Sequence, residues 1–347
     1  MNSASGKWEK RWHPLREEWV VYSAHRNTRP WHGAPPVESQ PMPAYDPTCY
    51  LCPGNKRVNH QSNPHYSDIF IFENDLPVVS FSAPDIPVEQ TIGLYRKARA
   101  TGVAKVICYD PRHNVTLAQM KQDAVYKVFR AFRQEMTELS KIPEIRYVHI
   151  FENKGQAVGV SNPHPHCQLY ATDFVFKFVE QQLAVAEKYR SNHQRNIYED
   201  IIRQEQLDEI RIISENEYAI SFLPFFARYA YETLIFPKKH HASLITLTDY
   251  ELEGLTAVFH ETVRKMDMNF NTDFPYVMSV MQAPVDGLSY PEFRMHLWLQ
   301  PPYRQPGLIK YLAGPEIGGG NFMADTMPED KAAELRAQDA KKYPFEK

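Results

Sequence analysis

The chain has 347 residues, 43% of them hydrophobic, and a net charge of −3. It can therefore bury a sizeable core, and it has no general attraction to nucleic acid. No apolar run approaches the roughly 20 residues of a membrane span, and the opening MNSASGKWEKRWHP holds no apolar signal core, which predicts a cytoplasmic protein.

Along the chain, the first marked feature is Thr48-Cys49-Tyr50-Leu51-Cys52-Pro53-Gly54. The four cysteines are Cys49, Cys52, Cys108 and Cys167. In a reducing compartment they form no structural disulfides, so the Cys49–Cys52 pair asks for a metal or redox explanation. A redox pair opens a helix; here Pro53-Gly54-Asn55 follows and prevents one. Phe72 to Phe81 reads as extended, and Val106-Ile107-Cys108-Tyr109 as a strand running into Pro111 and His113. Gln119 to Leu139 predicts a helix, with Val125, Val128, Phe129, Phe132 and Met136 at helical spacing. Arg146 to Phe151 predicts a strand.

Asn162-Pro163-His164-Pro165-His166-Cys167-Gln168 comes next. Residues two apart on an extended segment project to the same face. Each proline fixes its own φ and keeps the residue before it extended. His164 and His166 are thus presented side by side, which suits one imidazole as nucleophile or base and the other as a metal ligand. A charged helical insertion follows, from about Phe178 to Glu209.

The chain then repeats itself. Ser214-Glu215-Asn216 to Phe222 echoes Phe72-Glu73-Asn74 to Phe81, and Leu234-Ile235-Phe236-Pro237 to His240 echoes Val106 to His113. Tyr250 to Met266, with Leu252, Leu255, Val258 and Phe259, echoes the first helix. Tyr276–Met281 echoes Arg146–Phe151, and Met295-His296-Leu297-Trp298 echoes the His164–His166 segment. Matching elements lie roughly 125–145 residues apart in the same order, the mark of internal duplication. The expected fold is α+β: two copies of a strand–strand–helix–strand unit with antiparallel sheet and flanking helices. Residues 1–195 carry the chemistry, and 196–347 form a degenerate copy.

Two soft thiolates need two more ligands to close a tetrahedral zinc site. His113 and His164 are the candidates, giving Cys49, Cys52, His113 and His164 around one structural zinc with no position left for water. His166 is then placed but free, and a neutral imidazole can attack phosphorus to give a covalent phospho-histidine. Gln168 lies two further along the same face, where its amide N–H can bond a non-bridging oxygen of the transferring group.

These motifs recur with Trp19-Val20-Val21-Tyr22-Ser23-Ala24-His25-Arg26-Asn27-Thr28-Arg29-Pro30-Trp31, Phe151-Glu152-Asn153-Lys154-Gly155 and Gly159-Val160-Ser161-Asn162. Together they resemble the galactose-1-phosphate uridylyltransferase family, the transferase branch of the histidine-triad superfamily, over nearly the whole length. Gln168 stands where histidine-triad hydrolases carry a third histidine. The resemblance implies two tandem histidine-triad-like units. It also implies a ping-pong reaction in which UDP-hexose gives UMP to His166 and a second hexose 1-phosphate, with galactose 1-phosphate the expected one, collects it. By the same resemblance His166 is the nucleophile, Gln168 its phosphoryl partner, and Ser161, Arg26 and Arg29 phosphate contacts. Phe72, Asn74, Asp75, Val106, Asn153 and Gly159 become base, ribose and backbone contacts. Lys310, Tyr311 and Glu316 match the sugar-binding run. The resemblance further implies a homodimer, with the tail of one subunit completing the partner's site.

The chain also departs from the family. Members with a second metal use a glutamate and three histidines. Here Gln182, Met281 and Trp298 replace three of them and only His296 remains, which predicts no second metal and a buried core histidine. In the tail, Pro315 replaces an aromatic residue, and Gly318-Gly319-Gly320 lacks the Lys-Ser/Thr of a P-loop. Two rivals stand beside the main reading. One is a phosphorolytic adenylyltransferase acting on ADP-hexose. The other is a zinc-knuckle nucleic-acid-binding protein, against which the charge of −3 and the absence of a basic stripe argue.

Overall fold

A computed structural model describes residues 8–28, 42–87, 93–305 and 307–347. An N-terminal hairpin, β1 (Trp8–His13) and β2 (Glu18–Ser23), leads into a 3-10 turn (Ala24–Thr28). The first copy supplies β3 (Phe70–Glu73), β4 (Gly102–Cys108), α1 (Gln122–Leu139), β5 (Tyr147–Lys154) and β6 (His166–Thr172). Helices α2 (Lys177–His193) and α3 (Ile197–Asp208) follow. The second copy supplies β7 (Ile212–Glu215), β8 (Ala219–Phe222), β9 (Thr233–Pro237), α4 (Asp249–Phe270), β10 (Tyr276–Met281) and β11 (His296–Gln300). The tail adds β12 (Tyr303–Gln305), β13 (Leu308–Ile309), α5 (Gly314–Ile317), β14 (Met323–Ala324) and α6 (Pro328–Arg336).

The duplication is visible in the sheet. Nine strands run in the order β3-β4-β6-β5-β10-β11-β9-β8-β7, and every pair is antiparallel. Strands β4, β5 and β6 correspond to β9, β10 and β11, so the order reads alike outward from the β5–β10 seam. That seam pairs Phe151 with Ser279 and Ile150 with Val280. The copies differ in one strand. Residues 76–81, expected to be extended like their counterpart β8, form no strand, and Pro77 within them has no N–H to give to a ladder.

One face of this sheet is covered by α1 and α4. Val125, Val128, Phe129, Phe132 and Met136 are fully buried against Leu252, Leu255, Val258 and Phe259. The rings of Phe129 and Phe259 lie 5.2 Å apart. Burying each such side chain stabilises the fold by about 1.5–3 kcal/mol. The strand period of two then assigns the faces. On β6, Cys167, Leu169 and Ala171 enter this core, leaving His166, Gln168 and Tyr170 on the opposite face. On β5, Val148 and Ile150 enter it, leaving His149, Phe151 and Asn153 opposite.

Strand β5 runs three residues past its expected end because its buried charges are partnered. The Glu152 carboxylate accepts from the hydroxyls of Tyr109 and Tyr276, both at 2.8 Å. The Lys154 ammonium meets Asp267 at 3.0 Å. The expected single insertion is two helices, because Gln194 adopts a left-handed φ of 56° and the Asn196 side chain caps α3 by accepting from the backbone N–H of Tyr198 and Glu199. Together α2 and α3 cover the second copy's opposite face, burying Phe222, Leu234, Phe236, Met281 and Trp298. In the first copy the matching face stays partly open at Gln168.

Candidate active site and metal centre

Cys49 and Cys52 lie in a loop pinned by asparagines. Asn55 Nδ2 donates to the carbonyls of Cys49 (2.8 Å) and Asp46 (2.9 Å). Asn63 Nδ2 donates to those of Tyr50 (2.9 Å) and Cys52 (3.0 Å). The loop presents both thiols to His113 and His164. Cys52 Sγ is 3.5 Å from Nδ1 of each histidine, and the four donor atoms all lie within 4.8 Å of one another. All four residues are buried. Ligands at zinc–sulfur and zinc–nitrogen bond lengths stand roughly 3.3–3.8 Å apart on a tetrahedron, so these donors fit such an ion. The tautomer fits as well. His164 Nε2–H donates to the Asp110 carbonyl at 3.2 Å, which turns the Nδ1 lone pair toward Cys52. Burial lowers the His164 pKa to about 4 and pushes the Cys52 thiol up to about 11. The imidazole is therefore ready as a neutral ligand, whereas the thiol must shed its proton to an incoming metal.

Metal centre and triad strand share a backbone. Asn162 Oδ1 accepts from the His164 N–H at 2.9 Å and lies 3.5 Å from Cys49 Sγ. The His164 carbonyl accepts from His166 Nδ1–H at 2.7 Å, which leaves His166 Nε2 as the basic nitrogen. Burial lowers the His166 pKa, so the ring is neutral near pH 7. In register, His166 faces Cys108, and Gln168 lies between Val106 on β4 and Phe151 on β5. Tyr170, two residues further on, donates its hydroxyl to Gln168 Oε1 at 3.1 Å.

The first copy gathers most of the other expected residues around this strand. Val106 pairs with Phe72 on β3, and the Arg57 guanidinium sits 4.4 Å over the Phe72 ring. Asn74 Oδ1 accepts from the Leu76 N–H at 3.0 Å. Asp75 is held by Arg57 at 3.6 Å and by the Asn59 N–H at 3.4 Å. Asn153 shares its face with Phe151. Ser161 is exposed, and so is Gly159, which closes a 3-10 turn at φ 77°. A side chain there would meet no atom within 4 Å, so the glycine answers to backbone conformation.

A second group assembles elsewhere. Arg26 is exposed on the turn Ala24–Thr28, close enough to Arg304 to lower that residue's pKa in addition to burial. Its hairpin is anchored to the second copy, with Arg11 donating to the Phe225 carbonyl at 2.9 Å and pairing with Glu329 at 2.8 Å. The tail joins this hairpin, β14 lying parallel to β2. Lys310 Nζ donates to Glu316 (2.6 Å) and to the Met323 carbonyl (2.7 Å), and Tyr311 is exposed. Arg29 lies outside the described residues.

The second copy keeps the outline of the site without its chemistry. His296 Nδ1–H donates to the Arg294 carbonyl at 3.0 Å, as His166 does to His164. Its ring is fully buried among Tyr198, Phe236 and Phe293, and burial lowers its pKa to about 4. Trp298 replaces Gln168 and donates Nε1–H to Glu232 at 2.6 Å. Met281 pairs with His296 in register, and Gln182 accepts from the Tyr198 hydroxyl at 3.3 Å. One imidazole, a thioether and an amide offer no anionic ligand, so these residues do not fit a second divalent metal.

Three residues that matter to the geometry escaped the sequence reading: Tyr170, Asn162 as the link between thiol and imidazole, and Asp110 as the acceptor that sets the His164 tautomer. Tyr170 carried a signal, since it continues the period-two face of His166 and Gln168.

Two family models match the chain: the galactose-1-phosphate uridyl transferase N-terminal domain over residues 3–175 and its C-terminal domain over residues 182–346. The chain is similar to the galactose-1-phosphate uridylyltransferase of Haemophilus influenzae, 34% identical, covering 94% of this chain and 93% of the relative. It is similar to that of Saccharomyces cerevisiae, 35% identical, covering 95% and 94%. Among solved structures it resembles a uridylyltransferase with a TM-score of 0.77 and 28% identity, covering 95% of this chain and 97% of the other. An ADP-glucose phosphorylase from Arabidopsis thaliana shares the fold, with a TM-score of 0.77 at 22% identity, covering 96% and 99%.

Proposed function

We propose a reaction from one premise: this chain belongs to the galactose-1-phosphate uridyl transferase family. It exchanges UMP between UDP-hexose and hexose 1-phosphate. His166 Nε2 attacks the α-phosphorus of UDP-hexose, and the bond to the bridging oxygen breaks. Hexose 1-phosphate leaves with the electron pair, and uridylyl-His166 remains. A phosphate oxygen of the second hexose 1-phosphate then attacks that phosphorus and returns the imidazole. The observation that carries this reading is the 2.7 Å bond from His166 Nδ1–H to the His164 carbonyl. It fixes the tautomer that leaves Nε2 able to attack, two residues along the strand from an uncharged amide. Gln168 supplies hydrogen bonds to a non-bridging oxygen without offering a proton near neutral pH. Val106, Phe72, Asn74, Asp75, Asn153 and Gly159 receive the nucleoside, and Ser161 contacts the phosphates.

One zinc on Cys49, Cys52, His113 and His164 braces the loop beneath the nucleophile. Its role would be structural, since four protein donors would leave no ligand position for water or substrate. Arg26, Arg29, Lys310, Tyr311 and Glu316 serve the phosphates and the hexose. We infer a homodimer in which the tail and the hairpin that carries Arg26, joined through β14 and β2, complete the site around the partner's His166. The division at residues 195 and 196 separates the reactive copy from the degenerate one. A cytoplasmic setting suits thiols kept as metal ligands, and the described residues include no helix long and apolar enough to cross a membrane. The test is a paired incubation. UDP-glucose with galactose 1-phosphate gives UDP-galactose and glucose 1-phosphate, while ADP-glucose with phosphate gives no ADP. The reverse pattern refutes the uridylyl reading.

A further inference from the structure

A primary amide has two chemically opposite ends: an NH2 that donates and a carbonyl that accepts. Only the NH2 end can stabilise the anionic oxygens of a transferring phosphoryl group, and a carbonyl turned toward them repels. A glutamine beside the nucleophile is therefore useful only if something decides which end it presents. Gln168 has a neighbour able to do so. Tyr170 stands two residues further on β6, on the same face, with its hydroxyl 3.1 Å from Gln168 Oε1. The phenol is itself held. Its ring packs edge-on against Phe151, centroids 4.9 Å apart at 74°, and Phe151 is the β5 register partner of Gln168. Phe151 in turn stacks on His149, centroids 5.4 Å apart at 21°. Tyr170 is half-buried, and these ring contacts hold its hydroxyl toward Gln168. A phenol donates more strongly than it accepts, and its natural target is the amide oxygen.

We propose that Tyr170 is a positioning residue for the transfer step: by donating to Gln168 Oε1 it fixes the amide so that the NH2 faces the phosphoryl group on His166. The inference rests on the uridylyl-His166 reading above. It adds a residue that acts through Gln168.

The test is a double-mutant cycle read by single-turnover transfer of labelled UMP from UDP-glucose to the enzyme, with steady-state kcat and KM measured alongside. Tyr170→Phe keeps the ring and its contact with Phe151 and removes only the hydroxyl. Losing one neutral hydrogen bond of ordinary net worth predicts uridylylation slower by about 2- to 13-fold, with the loss in kcat and KM for hexose 1-phosphate unchanged. In a Gln168→Ala background, where there is no amide to orient, Tyr170→Phe changes the rate no further. A merely structural tyrosine would slow both backgrounds alike, and that result overturns the proposal. So does a Tyr170→Phe enzyme that uridylylates at the wild-type rate. A wild-type enzyme that takes up no label overturns the uridylyl-His166 reading and the proposal with it, an outcome distinct from either of the others.

Discussion

Replacing Cys52 by serine tests how far the metal loop supports the fold. The perturbation removes a thiolate that lies 3.5 Å from both His113 and His164 and is wholly buried. Serine is a poor zinc ligand, and its hydroxyl has no charge to offer. The loop itself does not depend wholly on metal, because Asn55 and Asn63 pin its carbonyls. The metal's effect on global stability is therefore set by mass action rather than by the whole binding energy. With free zinc at 100–1,000 times its dissociation constant, bound metal stabilises the native state by about 2.7–4.1 kcal/mol. At roughly 2.1 cal/mol/K of unfolding entropy per residue, the 347-residue chain has an unfolding entropy of about 0.7 kcal/mol/K, so Cys52→Ser lowers Tm by about 4–6 °C. The assay is differential scanning calorimetry with elemental analysis on wild type, Cys52→Ser and Cys167→Ser. Cys167 is equally buried but packs in the core beneath α1, away from the four donors. The expected outcome is about one zinc per chain in wild type and Cys167→Ser, and little in Cys52→Ser. Chelator should shift wild type to the Cys52→Ser melting point. Full zinc content in Cys52→Ser, or a wild-type Tm indifferent to chelator, refutes the assignment of these four residues.

Two further outcomes are expected. Gln168→His should slow transfer by on the order of 100- to 1,000-fold, the effect of losing a preorganised donor. It should also raise the fraction of UMP lost to water, read by following free UMP and new UDP-sugar together. Thr248→Ala should destabilise the protein by about 1 kcal/mol at pH 7 through loss of the α4 capping box. The Glu251 carboxyl is held down from 4.5 to about 2, first by the Thr248 backbone N–H, which the variant keeps, and also by the Thr248 hydroxyl, which it loses. The hydroxyl's share of the difference is therefore present above pH 4.5 and fades as pH falls toward 2. Urea melts at pH 7 and near pH 3 should show the gap between wild type and variant narrowing in acid without closing, because the bond from the Glu251 N–H to the Thr248 hydroxyl does not titrate.

The repeat was legible because it left two kinds of trace. The helical spacing of Val125, Val128, Phe129, Phe132 and Met136 returns in Leu252, Leu255, Val258 and Phe259 and marks the buried faces of α1 and α4. Tyr276 to Met281 is β10 to the residue. Cys49, Cys52, His113 and His164 could be grouped because a Cys-x-x-Cys pair demands two further donors, and His113 and His164 each stand in a proline-bearing turn beside a strand. What the sequence hid was tertiary. Nothing in Phe151 or Ser279 says that the two copies join edge to edge at β5 and β10, since alternation reports which face a residue takes and not which strand lies beside it. Glu152 and Lys154 looked like the end of a strand, because their partners Tyr109, Tyr276 and Asp267 are distant in sequence. The role of Tyr170 was hidden for the same reason: period two places it beside Gln168, but the Phe151 ring that holds it comes from another strand.

The central claim is a covalent bond between His166 and a uridylyl group, and intact mass measures it directly. The enzyme is incubated with UDP-glucose and no acceptor, then quenched in alkali, because phospho-histidine is labile to acid. The wild-type chain should gain the mass of one UMP residue and lose it again when galactose 1-phosphate is added. His166→Ala, folded by its melting curve, should gain nothing. An unmodified wild-type chain, or a His166→Ala chain that carries the same adduct, contradicts the account.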